Sequence, residues 1–298
     1  MNDLTKKVAV VTGATGGMGR IIAADLVRAG AHVVTVARDP ARADALRALI
    51  GASAANRLDV IPGDLSRRAD VVTAAKTISD RYDRIHVLVN NAGAHYSEHR
   101  LSADGVEMHI ALDYLAAYGF TTLLDEPLRR GRARVVNVAS DTLNDTRRIK
   151  LAGRPRPATL DLAGVDDLAQ LNPVTGFAPF EAYARAKLMT VTAGYALARS
   201  LAADGVTVNA LHPGIVATDI IDDLVPPLLR PMRGLIRRSM LTPAEGAKSA
   251  TRIATDPALA GVTGRYFRRD TESSTPPVSH DPTTQRRLLA LSEAHFTA

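Results

Sequence analysis

The 298-residue chain has no cysteine and no tryptophan. Disulfides, thiolate metal centres and a cysteine nucleophile are thereby excluded, and a cytoplasmic setting is expected. Aromatic residues make up only 4% of the chain, too few for a base-stacking platform. Lysine is scarce as well: 37 Lys+Arg stand against 31 Asp+Glu, for a net charge of +6. The arginine pairs Arg129-Arg130, Arg147-Arg148, Arg237-Arg238 and Arg268-Arg269 are dispersed and never interleaved with aromatics. That charge reads as solvated surface, and no nucleic-acid partner is expected. No apolar run reaches the ~18 residues that span a bilayer, so no membrane span is expected. The stretch from Met1 to Val11 has no small-residue cleavage site, so no export signal is expected.

What is present is an ordinary globular composition, 46% hydrophobic and 23% charged, able to build a large core. Short β-branched runs alternate with longer Ala/Leu-rich stretches. Strands are expected at 7–11, 32–37, 58–61, 85–89, 133–139, 205–211 and 264–267. Helices are expected at 17–29, 40–50, 67–81, 104–128, 180–203, 242–255, with Thr242 as N-cap, and 285–296. Such alternation implies a doubly wound, Rossmann-type α/β domain of about seven parallel strands spanning residues 1–298. Its ligands should lie at the carboxyl ends of the strands. Three parts interrupt the pattern: a Pro/Arg-rich insertion at 141–179, a Pro-rich loop at 213–241 that would close over an apolar substrate, and a tail at 270–298.

Between the first strand and first helix stands Thr12-Gly13-Ala14-Thr15-Gly16-Gly17-Met18-Gly19. Glycines in that position allow a tight turn and bring backbone N–H groups close to a pyrophosphate at the helix N-terminus. The second strand ends in Ala37-Arg38-Asp39. Arg38 is suited to bidentate contact with the 2′-phosphate of NADP(H); the rival is Asp39, which would hold the 2′-hydroxyl of NAD(H).

Further motifs follow in order: Asn90-Asn91-Ala92-Gly93, Ser140, Tyr183-x-x-x-Lys187, and His212-Pro213-Gly214 with Thr218. Together they resemble the short-chain dehydrogenase/reductase family over about residues 5–268, and the tail from Gly264-Arg265-Tyr266-Phe267 resembles its retinol-dehydrogenase-like branch. Gly13, Gly16 and Gly19 also fit the extended, sugar-nucleotide epimerase branch, but the Asn-Asn-Ala-Gly run favours the shorter one. The resemblance implies cofactor contacts from Gly13, Thr15, Gly17, Met18, Gly19, Arg38, Asp64, Leu65, Asn91, Ala92, Gly93, Tyr183, Lys187, Pro213, Gly214, Val216 and Thr218. It also implies a homodimer or homotetramer paired through the helices near 104–128 and 181–202.

The chemistry expected is interconversion of a ketone or aldehyde and its alcohol. Tyr183 would be the acid/base, and Lys187, at i+4 on the same helical face, would lower its pKa. Ser140 would polarise the carbonyl. Aligning Asp104-Gly105-Val106-Glu107 with the family places Asp113 where relatives carry an Asn that anchors a proton-relay water. Asp113 would either take over the relay or pair with Lys187 and weaken its pull on Tyr183. Asp141 is a second acid beside the site, with no assigned role. His95 and His99 lie in a loop without a third ligand, so no metal is expected. Two other readings remain: an NADP(H)-binding sensor or scaffold without turnover, and a sugar-nucleotide epimerase or dehydratase.

Overall fold

The computed structural model describes residues 3–147, 154–217 and 240–297. Seven short runs, dominated by valine and other apolar residues, form parallel strands: Val8–Val11 (β1), His32–Ala37 (β2), Leu58–Pro62 (β3), Val87–Asn90 (β4), Arg134–Val138 (β5), Thr207–His212 (β6) and Tyr266–Arg268 (β7). Most of their residues are buried, as helices covering both faces of a parallel sheet demand. An eighth strand, Thr271–Glu272 (β8), returns antiparallel to β7 through Arg269, whose φ is +57°. So short a return leaves no alternating pattern in the sequence, which suggested about seven strands.

The order is β3-β2-β1-β4-β5-β6-β7-β8. The chain starts mid-sheet, builds outward to β3, then crosses back to lay β4 beside β1. Loops leaving β1 and β4 therefore diverge to opposite faces and open a crevice at their carboxyl ends.

The helices are Gly17–Arg28 (α1), Asp44–Ile50 (α2), Arg68–Arg81 (α3), Ala116–Leu123 (α4), Asp125–Gly131 (α5), Pro179–Leu201 (α6), Pro243–Thr255 (α7) and Pro282–Thr297 (α8). Successive strand residues face opposite layers. Ala9 and Val11 share a core with α1 and α7, whereas Val10 joins α3, α4 and α5. Thr242 caps α7 in a reciprocal box with Glu245, as expected.

Two expected helices are broken. The 40–50 stretch begins as a 3-10 turn, Pro40–Ala43, before α2. The 104–128 stretch is not one helix. Leu101 and Glu107 form an antiparallel bridge, a π turn follows at Ile110–Leu115, and α4 ends at Leu123 before α5. Pro127 has no N–H to continue α4, and the π turn is fixed where the Thr190 hydroxyl donates to the Asp113 carbonyl at 3.0 Å.

Helix α8 lies across α4 and α6. The Tyr118 hydroxyl donates to the Leu289 carbonyl at 3.4 Å, Tyr114 bonds Ser292, and Phe296 fills the space above Gly119. The faces expected to pair two chains are therefore covered by this chain's own C-terminal helix. Among the described residues, no helix is long and apolar enough to cross a membrane.

Candidate active site

Tyr183 and Lys187 stand on α6; the other described residues of the expected cofactor set lie on loops or helix starts at the carboxyl ends of β1, β2, β3, β4 and β6. The turn after β1 is tight. A Cβ at Gly13, whose φ is +67°, would sit 2.9 Å from the Ala92 Cα, and one at Gly19 would sit 2.2 Å from the Gly13 carbonyl oxygen. Asn91 ties the loop down: its amide donates to the Thr12 and Gly13 carbonyls at 3.1 and 3.3 Å. The Thr12 hydroxyl accepts from the backbone N–H of Asn91 and Ala92, both at 3.0 Å.

The first turn of α1 is open. Gly16 offers no side-chain cap, and a Cβ there would meet nothing within 4 Å. An uncapped helix N-terminus facing free space at the sheet's switch point fits a dinucleotide pyrophosphate.

Arg38 and Asp39 are both exposed, and the Asp39 carboxylate accepts from Ala41 N–H at 3.0 Å, capping the turn at 40–43. One Asp64 oxygen is taken by Ser66 at 2.8 Å. Leu65 and Met18 have core side chains. Pro213, Gly214 and Val216 follow β6, and Val216 bridges to Leu241. Thr218 and residues 218–239 of the 213–241 loop lie outside the described residues.

Tyr183 and Lys187, one turn apart on α6, are both buried, with the ammonium 5.5 Å from the phenol ring centre. Ser140, directly after β5 and Ala139, lies beside the phenol and favours its ionised form. Lys187 Nζ donates to the Val138 carbonyl at 3.3 Å and pairs with Asp113 Oδ1 at 3.1 Å. Asp113 Oδ1 also accepts from Ala94 N–H at 3.0 Å. Gly93 makes room for this pair, since a Cβ there would lie 2.3 Å from Asp113 Oδ1 and 3.0 Å from Lys187 Nζ.

Burial is the main influence on these groups. It pushes the Tyr183 phenol above its ordinary value; Lys187 pulls it down, as expected, but Asp113 pushes it up and the net direction is upward. Burial likewise raises Asp113 against the opposing pull of Lys187. Lys187 holds its proton firmly: Asp113 and Tyr183 together outweigh its desolvation. Of the two roles foreseen for Asp113, the geometry contains the direct pair with Lys187. Asp141 turns elsewhere, to Arg268 at 3.2 Å and Asn144 at 3.0 Å.

A wall of rings beside Tyr183, buried at His95 and His109, has no signal in the residue pattern. The rings of His95 and His109 each lie 5.9 Å from that of Tyr183, and Phe177 stacks on His109 at 6.3 Å. His99 packs on Phe177 at 5.1 Å. Behind His109 sits Glu107, fully buried, and it in turn meets Asn172. Among the described residues, no group of three or more His, Asp or Glu could hold a metal.

The fold and site together define a nucleotide-dependent oxidoreductase, and comparison with known proteins agrees. The sequence profile of the short chain dehydrogenase family matches residues 7–148. The chain is 31% identical to retinol dehydrogenase 14 of Homo sapiens, covering 96% of this chain and 85% of that protein. It is 33% identical to polyprenol dehydrogenase of Mus musculus, over 95% of this chain and 82% of that one. A crystal structure of an uncharacterised protein from Mycobacterium paratuberculosis superposes with a TM-score of 0.73 at 23% identity, covering 100% of this chain and 96% of the other. The chain belongs to the short-chain dehydrogenase/reductase family, in its retinol-dehydrogenase-like branch.

Proposed function

We propose that the protein interconverts a ketone or aldehyde and its alcohol with NADP(H), on an apolar small molecule. The observation that carries this reading is the convergence of Ser140, Tyr183 and Lys187 beside the open N-terminus of α1. The bound nicotinamide would supply or accept the hydride. In the reducing direction, the Tyr183 phenol donates its proton to the carbonyl oxygen as negative charge develops there. The Ser140 hydroxyl donates a hydrogen bond to the same oxygen. Lys187, held protonated, stabilises the phenolate left behind.

Cofactor choice rests on the end of β2. Asp39 already caps the following turn, which leaves Arg38 as the exposed group suited to a 2′-phosphate. The relatives named retinol and polyprenol dehydrogenase support an apolar substrate, as does the ring-lined wall beside Tyr183. No observation favours binding without turnover or sugar-nucleotide epimerisation.

The test is nicotinamide absorbance with a panel of apolar ketones and aldehydes. NADPH should be consumed faster than NADH at equal concentration, and Arg38→Ala should erase that preference. Tyr183→Phe should lower kcat by roughly 10²–10⁴-fold. An undiminished Tyr183→Phe rate would sink the reading.

A further inference from the structure

Glu107 is a carboxylate with no exposed surface and no lysine or arginine in direct contact among the described residues. Burying such a charge costs stability unless each oxygen is well satisfied. Here both are. Oε1 accepts from the His109 backbone N–H at 3.1 Å and from His109 Nδ1 at 2.8 Å, while Oε2 accepts from Asn172 Nδ2 at 2.8 Å. These bonds hold the carboxyl below its ordinary range despite burial.

The partners lead onward. His109 Nε2 accepts from Tyr96 N–H at 3.0 Å, which leaves Nδ1 as the donor to Glu107 and fixes the ring edge-on to Tyr183. Asn172 is buried with φ at +54°, and its carbonyl accepts from Arg185 on α6, between Tyr183 and Lys187. Arg185 Nε also donates to the Thr159 carbonyl at 3.1 Å. One chain of hydrogen bonds thus joins the segment after β4, the approach to the π turn, the 154–178 segment and the catalytic helix.

Resting on the oxidoreductase reading above, we propose that Glu107 and Asn172 are positioning residues. Together they clamp the 154–178 segment to α6 and hold the His109 ring against Tyr183, setting the shape of the carbonyl-binding end of the cleft. Neither side chain takes or gives a proton in the reaction. With both nitrogens engaged, His109 is wall, not base.

Donor and acceptor directions along this chain are unambiguous, which permits a compensating swap. In Glu107→Gln the new amide opposes either His109 Nδ1–H or the Asn172 amide, donor against donor. In Asn172→Asp a carboxylate faces Glu107, acceptor against acceptor. In the double variant, the amide introduced at position 107 accepts from His109 and donates to the carboxylate introduced at position 172. That carboxylate accepts from Arg185 in turn, so every pairing is restored.

Each single variant should raise the KM for the carbonyl substrate about tenfold and leave that for NADPH unchanged. The double variant should return to within about threefold of the parent. Hydrogen exchange supplies a readout that needs no turnover: amides of 154–178 should exchange faster in each single variant and regain protection in the double. Unchanged exchange and unchanged carbonyl KM in the singles would overturn the proposal, as would a double no better than the worse single. Singles that fail to fold beside a double that folds support it. A parent that turns over no carbonyl compound would count against the oxidoreductase reading, while the exchange pattern would still decide the clamp.

Discussion

Asp113 touches Lys187 directly, and that contact has an electrostatic consequence for Tyr183. Alcohol oxidation needs the phenolate, so its rate climbs with pH through the phenol's pKa. Burial raises that pKa first and Asp113 adds to it. Asp113→Asn keeps the size and an acceptor oxygen for the lysine but removes the charge. The alkaline rise in kcat/KM for oxidation should therefore move to lower pH, read from a pH–rate profile beside the parent's. A profile that stayed in place would mean that Asp113 has no electrostatic influence on the phenol. Tyr183 and Lys187 were legible in the sequence because i+4 spacing puts them on one face and the ordered motifs before them carry the family resemblance. Glu107 and Asn172 were not: they meet across 65 positions, from segments without a repeating pattern. Asn172 also adopts a left-handed conformation that nothing in its neighbourhood announces.

The β1–α1 turn shows how elements divide glycine's uses. Gly19 packs against the Gly13 carbonyl, with no space for a Cβ, whereas Gly16 has extended backbone and faces open space. Gly19→Ala should lower stability by about 1–3 kcal/mol through forced repacking, measured by thermal or denaturant unfolding. Gly16→Ala should unfold like the parent yet bind NADPH more weakly, because its Cβ would project where the pyrophosphate is expected. Equal stability losses in the two variants would contradict the distinction. The strands and α1, α3, α6 and α7 were legible within a few residues, since apolar period and Gly, Pro or Thr boundary signals agree there. The 104–128 stretch misled because its apolar residues keep helical spacing through the π turn. Thr190 reaches across from α6 to the Asp113 carbonyl in that turn, a tertiary contact that local pattern does not encode.

At the scale of the whole molecule, α8 decides which surfaces remain for other copies. The π turn, α4 and α6 present Tyr114, Tyr118 and Tyr195 to a shared core, and Leu288 and Leu291 of α8 complete it. Further bonds hold the docked helix at both ends, from Arg199 to Gln285 near its start and from Arg68 to the His295 carbonyl at 2.8 Å near its finish. A second chain approaching α4 and α6 would meet this helix first, and its leaving would strip Leu288, which has no exposed surface, of its burial. Sedimentation should therefore find the parent at the mass of one chain, 31.7 kDa. Leu288→Asp places an unpaired charge in that core and should release α8. Its mass should then rise with concentration as the bared face self-associates, with stability reduced by at least the ~2–5 kcal/mol of a large core truncation. A parent dimer that came apart on Leu288→Asp would place α8 within an interface instead of over one, and the covering role would fall.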